Sequence, residues 1–378
     1  MKRNVFLVLA VVTLVTMGPF GLNIQAAAAE DVIKIGVVGP LTGQFAPGGQ
    51  SQLFGAEMKA KELNASGGKF KIELLVEDDA SNSDQSVNAT VKVITQGKAV
   101  AVLGAVNSPC ALAMVPTTKR YKVPQFTFGV GTAITKQGSE WVFRVAVGAP
   151  GQTKALAEYA VKKLGHKKIA VLYSDDEYGA SMAEGFKKAL ESMGLQPAAY
   201  ETYPREDKDF SGQLTKVKSS GATALYPTGS FAAAALIAKQ AKQLGLELQL
   251  LGDTGIATPK FAELGGDAVE GALIVEPFTP ADPDPKVQEF VKKFKAQYNR
   301  DPDGWVAEMY DTVGMIYQAV SNAGKVDAQV IRDHAAGYKA GSGYKGILGD
   351  WYFDKEGNAT FDLYKVQIKG GKKVILER

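Results

Sequence analysis

The chain is poor in the residues that carry most catalytic chemistry. It has one cysteine, Cys110, and two histidines, His166 and His334, among 378 residues. A single cysteine cannot close an intramolecular disulfide, so the core must hold by burial, and two distant histidines with one thiol make no common zinc site. His166 lies in the polar turn LGHKK, and His334 follows Arg332 and Asp333 in a helical pattern; both are expected at the surface. No GxSxG nucleophile elbow and no GxxxxGK phosphate loop occur. The one GxGxxG match, GSGYKG at 341–346, follows a helical stretch and precedes a strand. That is the reverse of the dinucleotide-binding order, so it reads as a loop. The acidic run EDDASNSDQS (77–86) lacks the spacing and glycine of a calcium loop and reads as capping ahead of a helix. The acid pair in YSDDEYG has no nucleophile to serve. Clustered basic charge is missing as well: the formal net charge is only +3, which gives a nucleic-acid reading no footing.

What is present begins at the N-terminus. MKRN supplies positive charge, VFLVLAVVTLVTMG an apolar run, and QAAAAE a small-residue cleavage site in which Ala27 and Ala29 fit the A-x-A rule. This predicts a secretory signal peptide over 1–29 and a soluble periplasmic protein. The apolar run is short for a membrane anchor and ends in Gly18-Pro19, and no cysteine stands at the cleavage site for lipidation. Removing Lys2 and Arg3 with the leader lowers the charge of +3 by two, to +1.

Beyond the leader, apolar strands alternate with helical patterns. VIKIGVVG (32–39), FKIELLVEDDA (70–80) and AVAVLGA (99–105) read as strands, with helices in GQSQLFGAEMKAKELNAS and SVNATVKVITQ between them. The order restarts near residue 150: KKIAVLYSDD (167–176), AAYETYP and SGATALYPTG (220–229) repeat the strands, and FAAAALIAKQAKQLG the helix behind them. This predicts two α/β lobes of doubly wound parallel sheet. From about 277 the alternation stops: TPADPDPKV reads as a linker, WVAEMYDTVGMIYQAVSNAG as a long helix, and DWYFDKEGNATFDLYKVQIKGGKKVILE as a hairpin of strands around DKEGN.

The stretch VLGAVNSPCA (102–111) is a strand that empties into a Ser-Pro helix start. Serine favours the N-cap and proline the first helical turn, and such a start points unpaired N–H groups at a carboxylate or phosphate. Ser108 either caps its own helix or holds an anion.

The opening IKIGVVGPLTGQFAPGGQSQLFGAEMKAKELNASGG, together with EDDAS, VLGAVNS, SDDEYG and KQAKQLGL, resembles the Leu/Ile/Val-binding family in order along nearly the whole exported chain. These are type I periplasmic binding proteins that feed an ABC importer. The resemblance implies two Rossmann-like lobes joined by three hinge crossings, lobe 1 over 31–149 and 277–350, lobe 2 over 150–276 and 351–378. It implies a small-molecule ligand, membrane permease subunits as partners, no cofactor, no metal, no nucleic acid and a monomer. Ser108, with the backbone of Val106 and Asn107, matches the family's carboxylate-binding serine; Thr132, with Gly129 or Val130 beside it, matches its threonine. Tyr178 matches a ligand-covering tyrosine, Trp305 an aromatic against the ligand side chain, and Phe45 falls in the loop before the first helix. The alternative for Trp305 is a core residue of its own helix. A receptor that reports ligand to a membrane sensor, or an α/β enzyme on the same layout, are the competing classes.

The departures from the family bear on the ligand. Where amino-acid binders place a glutamate against the ligand ammonium, this chain has Thr254, with Asp253 one residue earlier; a further acidic position is Ala149. Ser230, followed by Phe231, replaces a tyrosine, Gly48 replaces another, and the family's disulfide positions correspond to Ser81 and Asn107. A buried ammonium without a carboxylate costs several kcal/mol. Either Asp253 takes over that duty, or the ligand has no amino group and is an aromatic or aliphatic acid or an amide, for which the FTF run at 126–128 offers a flat surface.

Overall fold

The computed structural model describes residues 31–43, 45–137 and 139–378, so the expected signal peptide lies outside the described residues. The first half of the chain runs β1 (Asp31–Gly39), α1 (Ala46–Ala65), β2 (Phe70–Asp78), α2 (Ser83–Thr95), β3 (Ala101–Leu103), α3 (Ser108–Tyr121), β4 (Gln125–Thr127), α4 (Ala133–Lys136) and β5 (Val142–Arg144). A second series follows: α5 (Ala149–Glu158), β6 (Ile169–Ser174), α6 (Glu177–Glu191), β7 (Ala199–Tyr203), α7 (Ser211–Ser220), β8 (Ala224–Thr228), α8 (Phe231–Gln243), β9 (Gln249–Gly252), α9 (Pro259–Gly265) and β10 (Leu273–Glu276). Three helices, α10 (Pro285–Tyr298), α11 (Gly304–Ala323) and α12 (Ala328–Gly337), lead to β11 (Tyr344–Gly346), β12 (Gly349–Phe353), β13 (Ala359–Thr360), β14 (Tyr364–Lys369) and β15 (Lys372–Glu377).

The strands form two sheets and one small ribbon. The first sheet has the order β2-β1-β3-β4-β5, parallel throughout. The second has the order β15-β14-β10-β9-β8-β6-β7, with β14 and β15 antiparallel. The buried strands are near-continuous apolar runs, as central parallel strands covered on both faces must be: Ile169 through Leu172 of β6 are at most 1% exposed. Strand order reverses between β1 and β3 in one sheet and between β6 and β8 in the other. The crevice at the carboxyl ends of strands at such a point is where open α/β sheets take ligands. It is flanked by the turns after β1, β3, β6 and β8. Residues 145–148, 277–284 and 361–363 carry the chain between the two halves.

One expected boundary moves. The expected second lobe includes residues 351–361, but Trp351, Phe353 and Ala359 pack in the first core with Phe126, Phe143 and Phe294. Their ring contacts explain this: between centroids, Phe353 lies 5.0 Å from Phe143 in a tilted contact and 5.3 Å from Trp351 in an edge-to-face one. The expected C-terminal hairpin is therefore two hairpins. β12 pairs with β13 around DKEGN in the first lobe, and β14 pairs with β15 around Gly370-Gly371 in the second.

Candidate ligand-binding site

Helix starts converge on the crevice. Asp176 caps α6 by accepting from the Gly179 amide at 2.9 Å, and Ser230 caps α8 by accepting from Ala233 at 3.1 Å. The start of α3 differs from expectation: Asn107 occupies the N-cap without a side-chain capping bond, and Ser108 is the first helical residue. The Ser108 hydroxyl, fully buried, accepts instead from the Gly131 amide at 3.0 Å, tying the turn after β3 to the loop after β4. The Asn107 carboxamide is buried and takes no hydrogen bond among the described residues.

The 129–132 loop is braced from behind by Arg144. Its guanidinium donates to the carbonyls of Gly129 and Gly131 and to Asn358 Oδ1, and burial lowers its pKa to about 10. Val130 is buried. Thr132 does not join the pocket beside Trp305; it lines an outer groove with Lys136, Pro150 and Lys154.

Trp305, half-buried, connects the elements that do converge. A Cβ at Gly48 would stand 3.0 Å from both the Trp305 ring and Val106 Cγ1, so the missing side chain there is what lets the indole lie against the turn after β3. Phe128 packs beside it with ring centroids 6.4 Å apart. Trp305 also borders a cavity of about 10 Å³ completed by Thr254 and Ala257 of the second half and by Glu276 and Glu308.

Asp253 is already occupied. Tyr178 and Gly255 donate to one oxygen at 2.5 and 2.8 Å, and Tyr226 and Thr228 to the other at 2.5 and 3.2 Å. A carboxylate offers about four acceptor sites, and all four face donors of its own lobe. Burial raises its pKa, which these hydrogen bonds oppose, and burial with the Asp253 charge holds the Tyr178 and Tyr226 hydroxyls well above the ordinary phenol range. The Thr254 amide and hydroxyl both donate to Gln152 Oε1, at 3.1 and 3.0 Å. Ser230 is engaged as a cap, and Ala149 opens α5 fully buried.

The lobes also touch. Thr132 and Ala133 amides of the first donate to Ser181 Oγ (3.0 Å) and Glu177 Oε1 (3.2 Å) of the second. Arg205 lies 4.8 Å over the ring of Phe45, which precedes α1. Sequence reasoning passed over Arg144, Gln152, Glu276 and Glu308. For Glu308 a signal existed: it falls one helical turn after Trp305 in WVAEMY, a charge inside an otherwise apolar run.

Two doubly wound α/β lobes, linked by three crossings and meeting over a crevice lined by helix starts and aromatic rings, define a type I periplasmic binding fold. The chain belongs to the periplasmic binding protein family, whose model matches residues 32–373. A leucine-, isoleucine-, valine-, threonine- and alanine-binding protein of Pseudomonas aeruginosa is 30% identical over 347 residues, 89% of this chain and 90% of that one. A branched-chain amino acid transporter substrate binding protein of Streptococcus pneumoniae, solved with isoleucine, has a TM-score of 0.84 at 26% identity, covering 92% of this chain and all 100% of that one. A solute binding protein of an ABC transporter from R. palustris, solved with benzoate, has a TM-score of 0.83 at 25% identity, covering 92% and 96% of the two chains. Among the described residues no helix is long and apolar enough to cross a membrane.

Proposed function

We propose that this chain is the periplasmic substrate-binding component of an ABC importer, capturing a small carboxylate-bearing ligand between its lobes by hinge closure and presenting it to permease subunits. One observation supports the reading: Trp305 lies near Val106, in the turn that leads into α3, and also borders the cavity that Thr254 and Ala257 of the opposite lobe complete. The ligand carboxylate is assigned to the start of α3. A helix N-terminus favours an anion by up to about 2 kcal/mol in a partly buried site. The apolar part of the ligand lies against Trp305 and Phe128, where aromatic faces give large contact at low entropy cost. Relatives that bind leucine, isoleucine or benzoate are in keeping with this division into an acid end and an apolar end.

A thermal-shift screen of refolded protein tests the proposal, using amino acids and aromatic and aliphatic carboxylates. Refolding strips carried-over ligand, and binding at a hundredfold excess over Kd stabilises by about 2.7 kcal/mol. At least one carboxylate should raise Tm by several degrees, and Ser108→Ala should reduce that shift. No shift with any of them would overturn it.

A further inference from the structure

The division of labour proposed above leaves open what meets the rest of the ligand's polar groups, and Glu308 offers an answer outside the position the family resemblance points to. Its side chain is 1% exposed, borders the cavity beside Trp305 and Thr254, and neither carboxyl oxygen takes a hydrogen bond among the described residues. A buried carboxyl left without a donor is costly, and natural cores almost always supply one.

Each neighbouring acid has at least one partner, although Glu276 Oε1, unlike its Oε2, takes no hydrogen bond among the described residues. Asp303 caps α11 through the Val306 amide at 3.1 Å and accepts from the Ser51 hydroxyl at 2.7 Å and from Arg300 at 3.2 Å. Glu276, at the end of β10, pairs with Lys373 of β15. Asp311, one turn further along α11, accepts from the amides of Ile347 and Leu348 at 2.8 and 3.0 Å. The field at Glu308 is therefore negative, and burial together with the charges of Asp303 and Asp311 pushes its carboxyl well above the ordinary range. Among the described residues no three His, Cys, Asp or Glu side chains come together as a metal site. A cavity of about 10 Å³ admits one water-sized group.

We propose that Glu308 is the carboxylate that binds the ligand's ammonium group, so that the ligand is an amino acid or another small acid bearing a primary amine. This rests on the reading of the crevice as the ligand site. It also resolves the loss of a glutamate at Thr254, because the acidic partner sits on α11 of the first lobe, and Asp253 remains the clasp of Tyr178 and Tyr226. An ammonium entering the cavity supplies the donors Glu308 lacks and displaces its proton to solvent. Affinity for amine-bearing ligands accordingly rises with pH while free Glu308 holds that proton, by at most about tenfold per pH unit for one proton released.

Isothermal titration calorimetry at pH 7.5, in phosphate and in Tris, tests this. Leucine, phenylalanine and alanine are compared with their counterparts lacking the amine (4-methylpentanoate, 3-phenylpropanoate, propanoate) and with benzoate. The expected result is tighter binding of an amino acid than of its counterpart, with about one proton released per ligand. In Glu308→Gln the amino acid should weaken by about 100-fold and the proton release should vanish, while the counterpart keeps its affinity. Glu308→Leu, which removes the buried carboxyl altogether, provides a second variant with the same expected loss. Unchanged amino-acid affinity and proton release in both variants would overturn the proposal. So would a wild-type protein that binds benzoate or the counterparts and no amino acid, a result that leaves the carboxylate-binding function standing. Failure of every acid to bind would bring down that function and this inference together.

Discussion

At the scale of single residues, two buried carboxyls in the crevice have opposite circumstances. Asp253 has four donors and Glu308 has none among the described residues. Asp253→Ala leaves two buried phenols and a hydroxyl without their acceptor, so it should lower unfolding free energy by about 3 kcal/mol, measured by urea denaturation without ligand. Glu308→Leu should do the reverse and raise stability. The sign follows from linkage: the folded-state pKa of Glu308 lies above its unfolded value, so above the ordinary carboxyl range the unfolded chain releases a proton the folded chain keeps. Wild-type stability is thereby eroded as pH rises from that range toward the folded pKa. The margin by which Glu308→Leu exceeds wild type should widen between pH 5 and 7. A constant margin, or a destabilised variant, would contradict this environment for Glu308.

At the scale of elements, Arg144 at the end of β5 is the brace of the 129–132 loop. Arg144→Met keeps much of the side-chain volume but takes the charged donor from the carbonyls of Gly129 and Gly131 and from Asn358 Oδ1, the last two keeping only long bonds from the Ile134 amide (3.3 Å) and the Thr135 hydroxyl (3.4 Å), an expected loss of about 2–4 kcal/mol by denaturant titration. Ligand affinity should fall with it, because the Gly131 amide is what the Ser108 hydroxyl holds. The long periodic elements were legible in the sequence: β1, α1, α6, α8 and α11 follow runs whose apolar spacing admits one reading. β4, β5, β9 and β10 were not, since runs of three or four residues such as QFT and VFR carry no periodicity to detect. The placement of β12 and β13 was hidden too, because which lobe takes Trp351 and Phe353 depends on rings far away in sequence. Of the expected site residues, Asn107 and Ser108 came from the Ser-Pro helix start and the family resemblance, and Trp305 from the resemblance alone. That Ser108 bonds Gly131, and that Asp253 is enclosed by Tyr178 and Tyr226, are tertiary facts no local pattern contains.

At the scale of the whole molecule, the lobes are in contact, through Thr132 and Ala133 against Ser181 and Glu177 and through Phe45 against Arg205. These contacts bridge the lobes across the crevice, so they should appear in the ligand's dissociation rate more than in its association rate. Removing two amide acceptors with Glu177→Ala and Ser181→Ala together should speed dissociation by about tenfold in stopped-flow measurements. X-ray scattering should record a smaller radius of gyration with ligand than without.

The claim that the crevice beside Trp305 holds the ligand can be read out optically. Of the three tryptophans, Trp141 and Trp351 are 5% and 1% exposed, whereas Trp305 is only partly buried and borders the cavity. Refolded protein titrated in turn with leucine, phenylalanine and benzoate should show a saturable change in tryptophan emission with at least one of them, and Trp305→Phe should abolish the change. No saturable change with any of the three, or one that survives in Trp305→Phe, would contradict the account.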